Sequence, residues 1–342
     1  MRSVFHPFLP NGPFGDPVLW VDLPDEGHSV MLDLGELGAI PARKLLRVGR
    51  VVVTHAHMDH FIGFDPLLRL LLGREPELVL TGPAGFLGHV AGKIAGYTWN
   101  LIESYPVRLT AEEIDGDVLR AQTYRGADRM RPSEPVERPF TGKLHDHRAY
   151  TIHAGVLDHG IPVLGVVLRE TEHLSVDKDR LARMGLAPGP WLSALKDAVR
   201  RRESDDTAID VPEPAGGTRR RAIGELAREI LFRTPGQNLA YLTDLRFTEE
   251  NVERAVALAH GVDLLVCEAA FLHADERLAS ERCHLTARQA GELARALAAR
   301  RLAPFHFSPR YADRDEELYD EAAQAFGGPV VRLPAGPLVE TG

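Results

Sequence analysis

Apolar positions along this chain fall into two spacings, and the switches between them mark its elements. Residues 18–23 and 29–34 are short aliphatic runs joined through Asp25-Glu26-Gly27, a turn signal, and they read as strands. A third strand, 51–53, is three consecutive valines. Phe64, Leu67, Leu68 and Leu71 then recur at helical spacing, so 63–72 reads as a helix with one buried face. Strands are expected at 78–80, 118–123, 149–156 and 162–168, with a helix over 84–95 after Gly82-Pro83. From 238 onward strand and helix alternate: strands at 238–243, 263–267 and 302–307, helices at 249–260, 286–301 and 316–325. Thr286 is placed to cap the second of these helices. Strands in succession followed by strand–helix alternation predict sheets packed between helices, an α/β (α+β) chain without solenoid repeats.

Residues 170–235 interrupt this pattern. Helices are expected at 177–184 and 191–202, and 203–217 is acidic, then rich in proline and glycine, and reads as a mobile loop. Arg200-Arg201-Arg202 and Arg219-Arg220-Arg221 flank that loop. Such triplets suit RNA phosphates, or form a solvated face neutralised by Glu203, Asp205 and Asp206. The balance of 44% hydrophobic and 26% charged residues is that of an ordinary globular protein, and 342 residues make one large domain or two smaller ones. A net charge of -9 argues against a broadly basic nucleic-acid binder while allowing a local basic patch. Cys267 and Cys283 give neither a disulfide framework nor a CxxC knuckle, so a reducing cytoplasm is expected. Residues 1–23 show no basic-then-apolar leader, and the apolar stretch 67–72 is broken by Arg69, which leaves nothing to span a membrane.

Chemistry concentrates in Thr54-His55-Ala56-His57-Met58-Asp59-His60, directly after the valine strand. His55 and His57 lie two apart, so in extended chain both face the same side and can grip one metal. Asp59 and His60 follow once the chain has turned, which suits a second metal nearby. The competing reading is a polar surface loop rich in histidine. Four more strand ends carry a metal-type residue: His159 in Leu157-Asp158-His159-Gly160, Asp244 after Tyr241-Leu242-Thr243, Glu268 after Cys267, and His306 after Phe305. With HxHxDH these supply five His and two Asp ligands, enough for two metals with positions left open for water and substrate. His145 and His147 mimic a ligand pair but read as a surface loop. The rings of Gly96-Tyr97-Thr98-Trp99-Asn100 are expected to pack in the core rather than stack on a base.

The order HxHxDH, then His, Asp and His at strand ends, resembles the metallo-β-lactamase fold superfamily, and within it the ribonuclease Z family of tRNA 3′ endonucleases. The resemblance covers roughly 51–311. His159-Gly160-Ile161-Pro162 resembles the family's third-ligand turn, and Cys267-Glu268-Ala269-Ala270-Phe271 its acidic segment. His284-Leu285-Thr286-Ala287-Arg288-Gln289-Ala290 resembles its helix start, and His306-Phe307-Ser308-Pro309-Arg310-Tyr311 its closing motif. Leu186-Ala187-Pro188-Gly189-Pro190-Trp191 resembles the GP-motif of the family's protruding arm. Residues 5–13 do not match the family's Gly-Thr opening.

The resemblance implies an αββα sandwich spanning 1–342 with an inserted arm at 170–235. It implies His55, His57 and His159 on one zinc and Asp59, His60 and His306 on another, with Asp244 bridging. Manganese or iron would suit the same donors. Asp59 would take a proton from water, and His284 oriented by Glu268, a pair that lactamases of this fold lack, would protonate the leaving 3′ oxygen. Thr243 and Ser308 would support the ligands from behind. The implied substrate is precursor tRNA and the implied assembly a homodimer. Two alternatives stand beside this: a hydrolase of small or cyclic phosphodiesters, and a non-catalytic RNA-binding protein.

Overall fold

The computed structural model describes residues 4–338 except 76, 172, 214, 215 and 235. Eight strands form the first sheet in chain order: β1 (His6–Phe8), β2 (Leu19–Leu23), β3 (His28–Leu32), β4 (Val48–Val52), β5 (Leu78–Pro83), β6 (Arg108–Asp115), β7 (Val118–Arg125) and β8 (Val136–Pro139). β3 to β6 run parallel, so a crossover is needed at each step. The helices Phe64–Leu71 and Phe86–Ala95 lie in two of these crossovers. They bury Phe64, Leu67, Leu68, Phe86, Val90 and Ile94 in one cluster with Met31, Val51, Val53 and Leu80. β6 was not evident as a strand because Glu112 and Glu113 interrupt it. Both are buried in the fold, where Arg50 Nη1 reaches Glu112 Oε2 at 2.7 Å.

The second sheet opens with β9 (Lys143–Asp146), β10 (Tyr150–Asp158) and β11 (Pro162–Glu170). The chain then makes four shorter strands, β12 (His173–Val176), β13 (Ala208–Pro212), β14 (Thr218–Ala222) and β15 (Leu231–Thr234), before β16 (Asn238–Leu242), β17 (Leu264–Glu268) and β18 (Leu302–Phe305) complete the sheet. Its order is β18-β17-β16-β11-β10-β9, with the pairs among β16, β17 and β18 parallel. Helices Glu249–Ala259, Ala287–Ala296 and Asp315–Phe326 cover it through Ala255, Leu293 and Leu318. The helix at 287 starts as its sequence demands: Thr286 Oγ1 accepts from Gln289 N while Gln289 Oε1 accepts from Thr286 N, a capping box. The result is the α/β sandwich of the metallo-β-lactamase fold. Leu164 N donates to Thr54 O at 2.9 Å, joining the two sheets beside the histidine cluster.

Arg169–Gln237, with His145–Thr151, forms a compact unit of its own. Leu181, Trp191, Leu195, Val211, Leu226 and Ile230 make its core. The expected mobile loop over 203–217 is corrected here. Ala208–Pro212 pairs antiparallel with Thr218–Ala222, because fully buried Val211 anchors a strand whose neighbours are polar. Ile223, Leu226 and Ile230 supply a helical face to Ile223–Ile230, an element hidden in sequence by the arginines before it. His145 likewise belongs to a strand, β9, rather than a loop, and its ring lies 6.3 Å from that of His147. Trp99 packs half-buried against the first core and donates from Nε1 to Ile94 O at 2.9 Å, but Tyr97, also expected in the core, is exposed.

Candidate metal centre

Parallel strands place their carboxyl ends along one edge of a sheet, and the site is built at such an edge. In the second sheet Asp244 follows β16, Glu268 ends β17 and His306 follows β18. In the first, Asp33 follows β3 and His55 lies just beyond β4. His159 sits in the turn between β10 and β11, where Gly160 at φ +84° lets the chain reverse. His57 N-caps the short helix Met58–Phe61, which swings Asp59 and His60 to the other side of the cluster. Asp33, Asp244 and His306 all hold left-handed backbone, at φ 62°, 51° and 58°. Such strain in non-glycine residues is characteristic of functional positions.

Asp244 is the hub. Its Oδ2 lies 3.5 Å from His55 Nε2, 3.5 Å from His159 Nε2 and 3.4 Å from His60 Nε2, while Oδ1 lies 3.1 Å from His306 Nε2. Asp59 Oδ2 lies 3.5 Å from His60 Nε2 and 3.9 Å from His306 Nε2. Ligand-capable atoms of His55, His57, His159 and Asp244 fall within 4.8 Å of one another, as do those of Asp59, His60 and His306. The structure thus brings together all seven residues singled out by sequence.

Do these donors fit metal ions? Around a tetrahedral ion bound at about 2.0–2.1 Å, ligand atoms stand roughly 3.4 Å apart, the spacing seen around Asp244. Nε2 of His55 and Nε2 of His60 are buried without a hydrogen-bond partner. An orphaned imidazole nitrogen in the interior is costly unless something accepts its lone pair. The opposite ring nitrogens are committed. His60 Nδ1 donates to Asp33 Oδ2 at 2.8 Å, His159 Nδ1 donates to Cys283 O at 2.9 Å, and His55 Nδ1 lies 3.1 Å from Thr54 Oγ1. Each bond fixes a tautomer that aims Nε2 inward. Burial, reinforced by the neighbouring His60, lowers the pKa of His55 to about 2, which keeps its lone pair available. Burial and then His159 lower His57 in the same sense. Burial opposes the ionised form of Asp244, but the facing His60 and His306 outweigh it and hold the carboxyl well below its usual range. The donor set is that of a metal centre.

Asp33 was missed by sequence reasoning. It is wholly buried and accepts from Thr54 N at 2.6 Å, Thr54 Oγ1 at 2.8 Å, Tyr241 OH at 2.9 Å and His60 Nδ1. The one signal was an aspartate inside the apolar run Met31-Leu32-Asp33-Leu34. Thr243, expected behind the ligands, donates to Asp244 Oδ1 at 2.8 Å. Ser308 instead bonds through its backbone to Ala270 O and lines the cleft.

Beside the cluster stands a polar pair. His284 Nδ1 donates to Glu268 Oε2 at 2.7 Å, and the other carboxylate oxygen accepts from Leu245 N at 2.7 Å. Burial works against the charged form of His284, but the Glu268 carboxylate more than offsets it and lifts the pKa to about 9. Two clefts meet at His284. One, of about 450 Å³, is lined by Phe14, Asp16, Asp59, Phe271, Arg282 and Arg310. The other, of about 660 Å³, is lined by Arg246, Phe247, Thr248, Arg277 and Cys283. Phe14, Gly15 and Asp16, directly after the 5–13 segment that matches no family motif, supply one wall. Phe307 N donates to Pro13 O at 2.8 Å, and the Phe14 ring packs edge-on against Phe307 at 5.3 Å.

A buried cluster of histidine and aspartate at the strand ends of an αββα sandwich defines a metal-dependent hydrolase of the metallo-β-lactamase superfamily, and residues 206–307 match the model of the beta-lactamase superfamily domain. A ribonuclease Z of Deinococcus radiodurans is 33% identical over 92% of this chain and 93% of its own length, and one of Thermobifida fusca is 32% identical over 90% and 83%. The chain belongs to the ribonuclease Z family. The short form of human tRNase Z shares its fold, with a TM-score of 0.51 at 18% identity over 90% of this chain and 93% of that one. The metallo-beta-lactamase fold protein YhfI from Bacillus subtilis does so with a TM-score of 0.54 at 13% identity, over 97% and 96%.

Proposed function

We propose that this chain, a metal-dependent endoribonuclease by family, cuts precursor tRNA on its 3′ side and leaves a 3′-hydroxyl on the upstream product. The observation that carries this is the His284–Glu268 pair at 2.7 Å, set between two clefts and facing Asp244 across 3.9 Å. An RNA 3′ oxygen leaves poorly without a proton, and a histidine oriented by a buried carboxylate is suited to supply one.

His55, His57 and His159 would hold one metal and Asp59, His60 and His306 the other, with Asp244 available to both. Two zinc ions are the proposed complement. Ions bound there supply charge neutralisation on the phosphate and a lowered pKa for water. The chain's own residues do the rest. Asp59, partly exposed at the cleft, takes the proton of the attacking water. Glu268 keeps His284 charged and aimed, and His284 gives its Nε2 proton to the departing oxygen. The compact unit over Arg169–Gln237 serves as an arm that docks the RNA, and a homodimer working in the cytoplasm completes the reading. No helix of the described residues is long and apolar enough to cross a membrane.

The test is a cleavage assay on a precursor tRNA carrying a 3′ trailer, comparing zinc-loaded with chelated protein. One metal-dependent cut beside the discriminator base is expected. Turnover of bis(p-nitrophenyl) phosphate without that cut would replace tRNA with a small phosphodiester.

A further inference from the structure

His284 and the metal centre are held by different turns, and one side chain ties those turns together. His284 follows Cys283, which stands at φ 62° in the turn after helix Glu276–Glu281. His159 sits in the turn between β10 and β11 and donates from Nδ1 to Cys283 O at 2.9 Å. Arg246, two residues beyond Asp244, spans both turns. Its Nε donates to Cys283 Sγ at 3.1 Å and its Nη1 to Asp158 Oδ2 at 3.2 Å, while its backbone N donates to Asp158 O at 2.9 Å. These contacts close a ring from Arg246 through Cys283, His159 and Asp158 back to Arg246. Gly160 is shaped to it, since a Cβ there would stand 3.0 Å from Arg246 Nη2 and 3.7 Å from Cys283 Sγ. Asn251, buried, donates from Nδ2 to both Asp158 O and Arg246 O at 2.8 Å and so fixes the backbone from which the guanidinium reaches. Leu245 N, between Asp244 and Arg246, donates to Glu268 Oε1 at 2.7 Å. Three consecutive residues thus touch, in order, the histidine cluster, the carboxylate that orients His284, and the turn that carries His284. Arg246 and Asp158 are 44% and 45% exposed, and an ion pair so open to water adds little stability. What the ring sets is placement.

We propose that Arg246 is a positioning residue that sets the His284 ring relative to the metal centre, acting through Cys283. This rests on His284 being the acid of the proposed reaction. As the oxygen of water bonds to phosphorus and its proton passes to Asp59, the P–O3′ electron pair leaves on O3′, which takes the Nε2 proton of His284. The donor has to stand within hydrogen-bond reach of O3′ for that transfer. One bond at Nδ1 lets the imidazole swing about the Glu268 oxygen, so the turn carrying His284 has to be fixed as well. A displacement of about 1 Å there is enough to cost about a hundredfold in rate. The competing role for Arg246 is direct contact with a substrate phosphate, because it also lines the cleft of about 660 Å³.

The experiment measures single-turnover cleavage by the metal-loaded, full-length protein at saturating enzyme. It uses two precursor tRNAs that differ in one atom, oxygen or bridging sulfur at the scissile 3′ position. A thiolate leaves without a proton, so the sulfur substrate reports everything except the acid. His284→Ala is expected to lose about 10²–10⁴-fold on oxygen and to stay within about threefold on sulfur. Arg246→Met is expected to lose about ten- to a hundredfold on oxygen and, again, to stay within about threefold on sulfur. Cys283→Ala, which removes the atom that Nε meets, is expected to share that loss. Cys283→Ser, whose hydroxyl accepts from the same donor, is expected to restore the rate to within about threefold. An Arg246→Met variant that slows both substrates alike, or that only raises the enzyme concentration needed for saturation, makes Arg246 a brace or a phosphate contact. Either result overturns the inference while leaving His284 as the acid, and so does Cys283→Ala at the full rate on oxygen. If His284→Ala slows both substrates alike, or the unaltered chain cuts neither, the proposed reaction itself fails and the positioning role falls with it.

Discussion

At the scale of single residues, the site divides into groups that hold metal and groups that move protons, and substitutions separate them. Asp244→Ala removes the one carboxylate among the described residues that reaches all of His55, His60, His159 and His306, so metal content measured by elemental analysis is expected to fall at both positions. A variant that retains two ions would show that Asp244 does not bridge. His284→Ala is expected to keep its metals and lose about 10²–10⁴-fold in rate, the usual worth of a positioned acid. The pH profile tests Glu268. Because the carboxylate raises His284 to about 9, the acid stays protonated through neutral pH, and the rate declines as pH climbs toward that value. Glu268→Gln removes the raising charge, so the alkaline decline is expected to begin at lower pH. An unmoved limb would mean that another group sets it. HxHxDH was legible because residue type and spacing coincide in six positions. Asp33 was not, because a single aspartate after a strand shows its partners only when Thr54, His60 and Tyr241 fold around it.

At the scale of elements, legibility followed how completely each element obeys one rule. The helix at 287 announces itself by Thr286 and Gln289 at cap spacing with Ala290, Leu293 and Ala294 buried behind them. Thr286→Ala removes the Oγ1 that accepts from Gln289 N, leaving the backbone bond to Gln289 Oε1, and is expected to cost about 1 kcal/mol in chemical denaturation, within the usual range for N-caps. A loss well below that would mean the helix is held by its packed face alone. β6 and β13 were missed for the opposite reason. Their polar residues look like solvent faces until Arg50 is seen to answer Glu112, or Val211 is seen to be the single anchor of its strand. Patterning reports burial, and a buried ion pair or a one-residue anchor leaves hardly any pattern to report. The N-terminal 5–13 stretch failed in a third way. It is held largely by main-chain bonds, such as Leu9 N to Pro334 O at 2.9 Å, for which no side-chain signature exists.

At the scale of the whole molecule, the chain is a hydrolase sandwich carrying a second compact unit, and the topology of that unit suggests how to test it. β12 and β15 form an antiparallel pair that ends with Val176 opposite Leu231, and Asp177 N donates to Ile230 O at 2.8 Å just beyond. Everything between them leaves and returns at one point, so a two-residue type I′ turn such as Asn-Gly joining Val176 to Leu231 closes a short hairpin without moving its register. The excised segment takes with it helix Pro190–Arg200, β13 and β14, and both arginine triplets. If the unit docks RNA, kcat/KM on precursor tRNA is expected to fall about a hundredfold or more, equivalent to about 2.7 kcal/mol of lost binding. Hydrolysis of bis(p-nitrophenyl) phosphate, which needs the metal centre alone, is expected to stay within about threefold. The salt dependence of RNA cleavage is expected to flatten as well, since each phosphate contact removed lowers the slope. Equal losses on both substrates would make the unit a structural brace instead. Retained tRNA cleavage with an unchanged salt slope would move RNA recognition back to the clefts beside His284, where Arg246, Arg277, Arg282 and Arg310 would have to carry it.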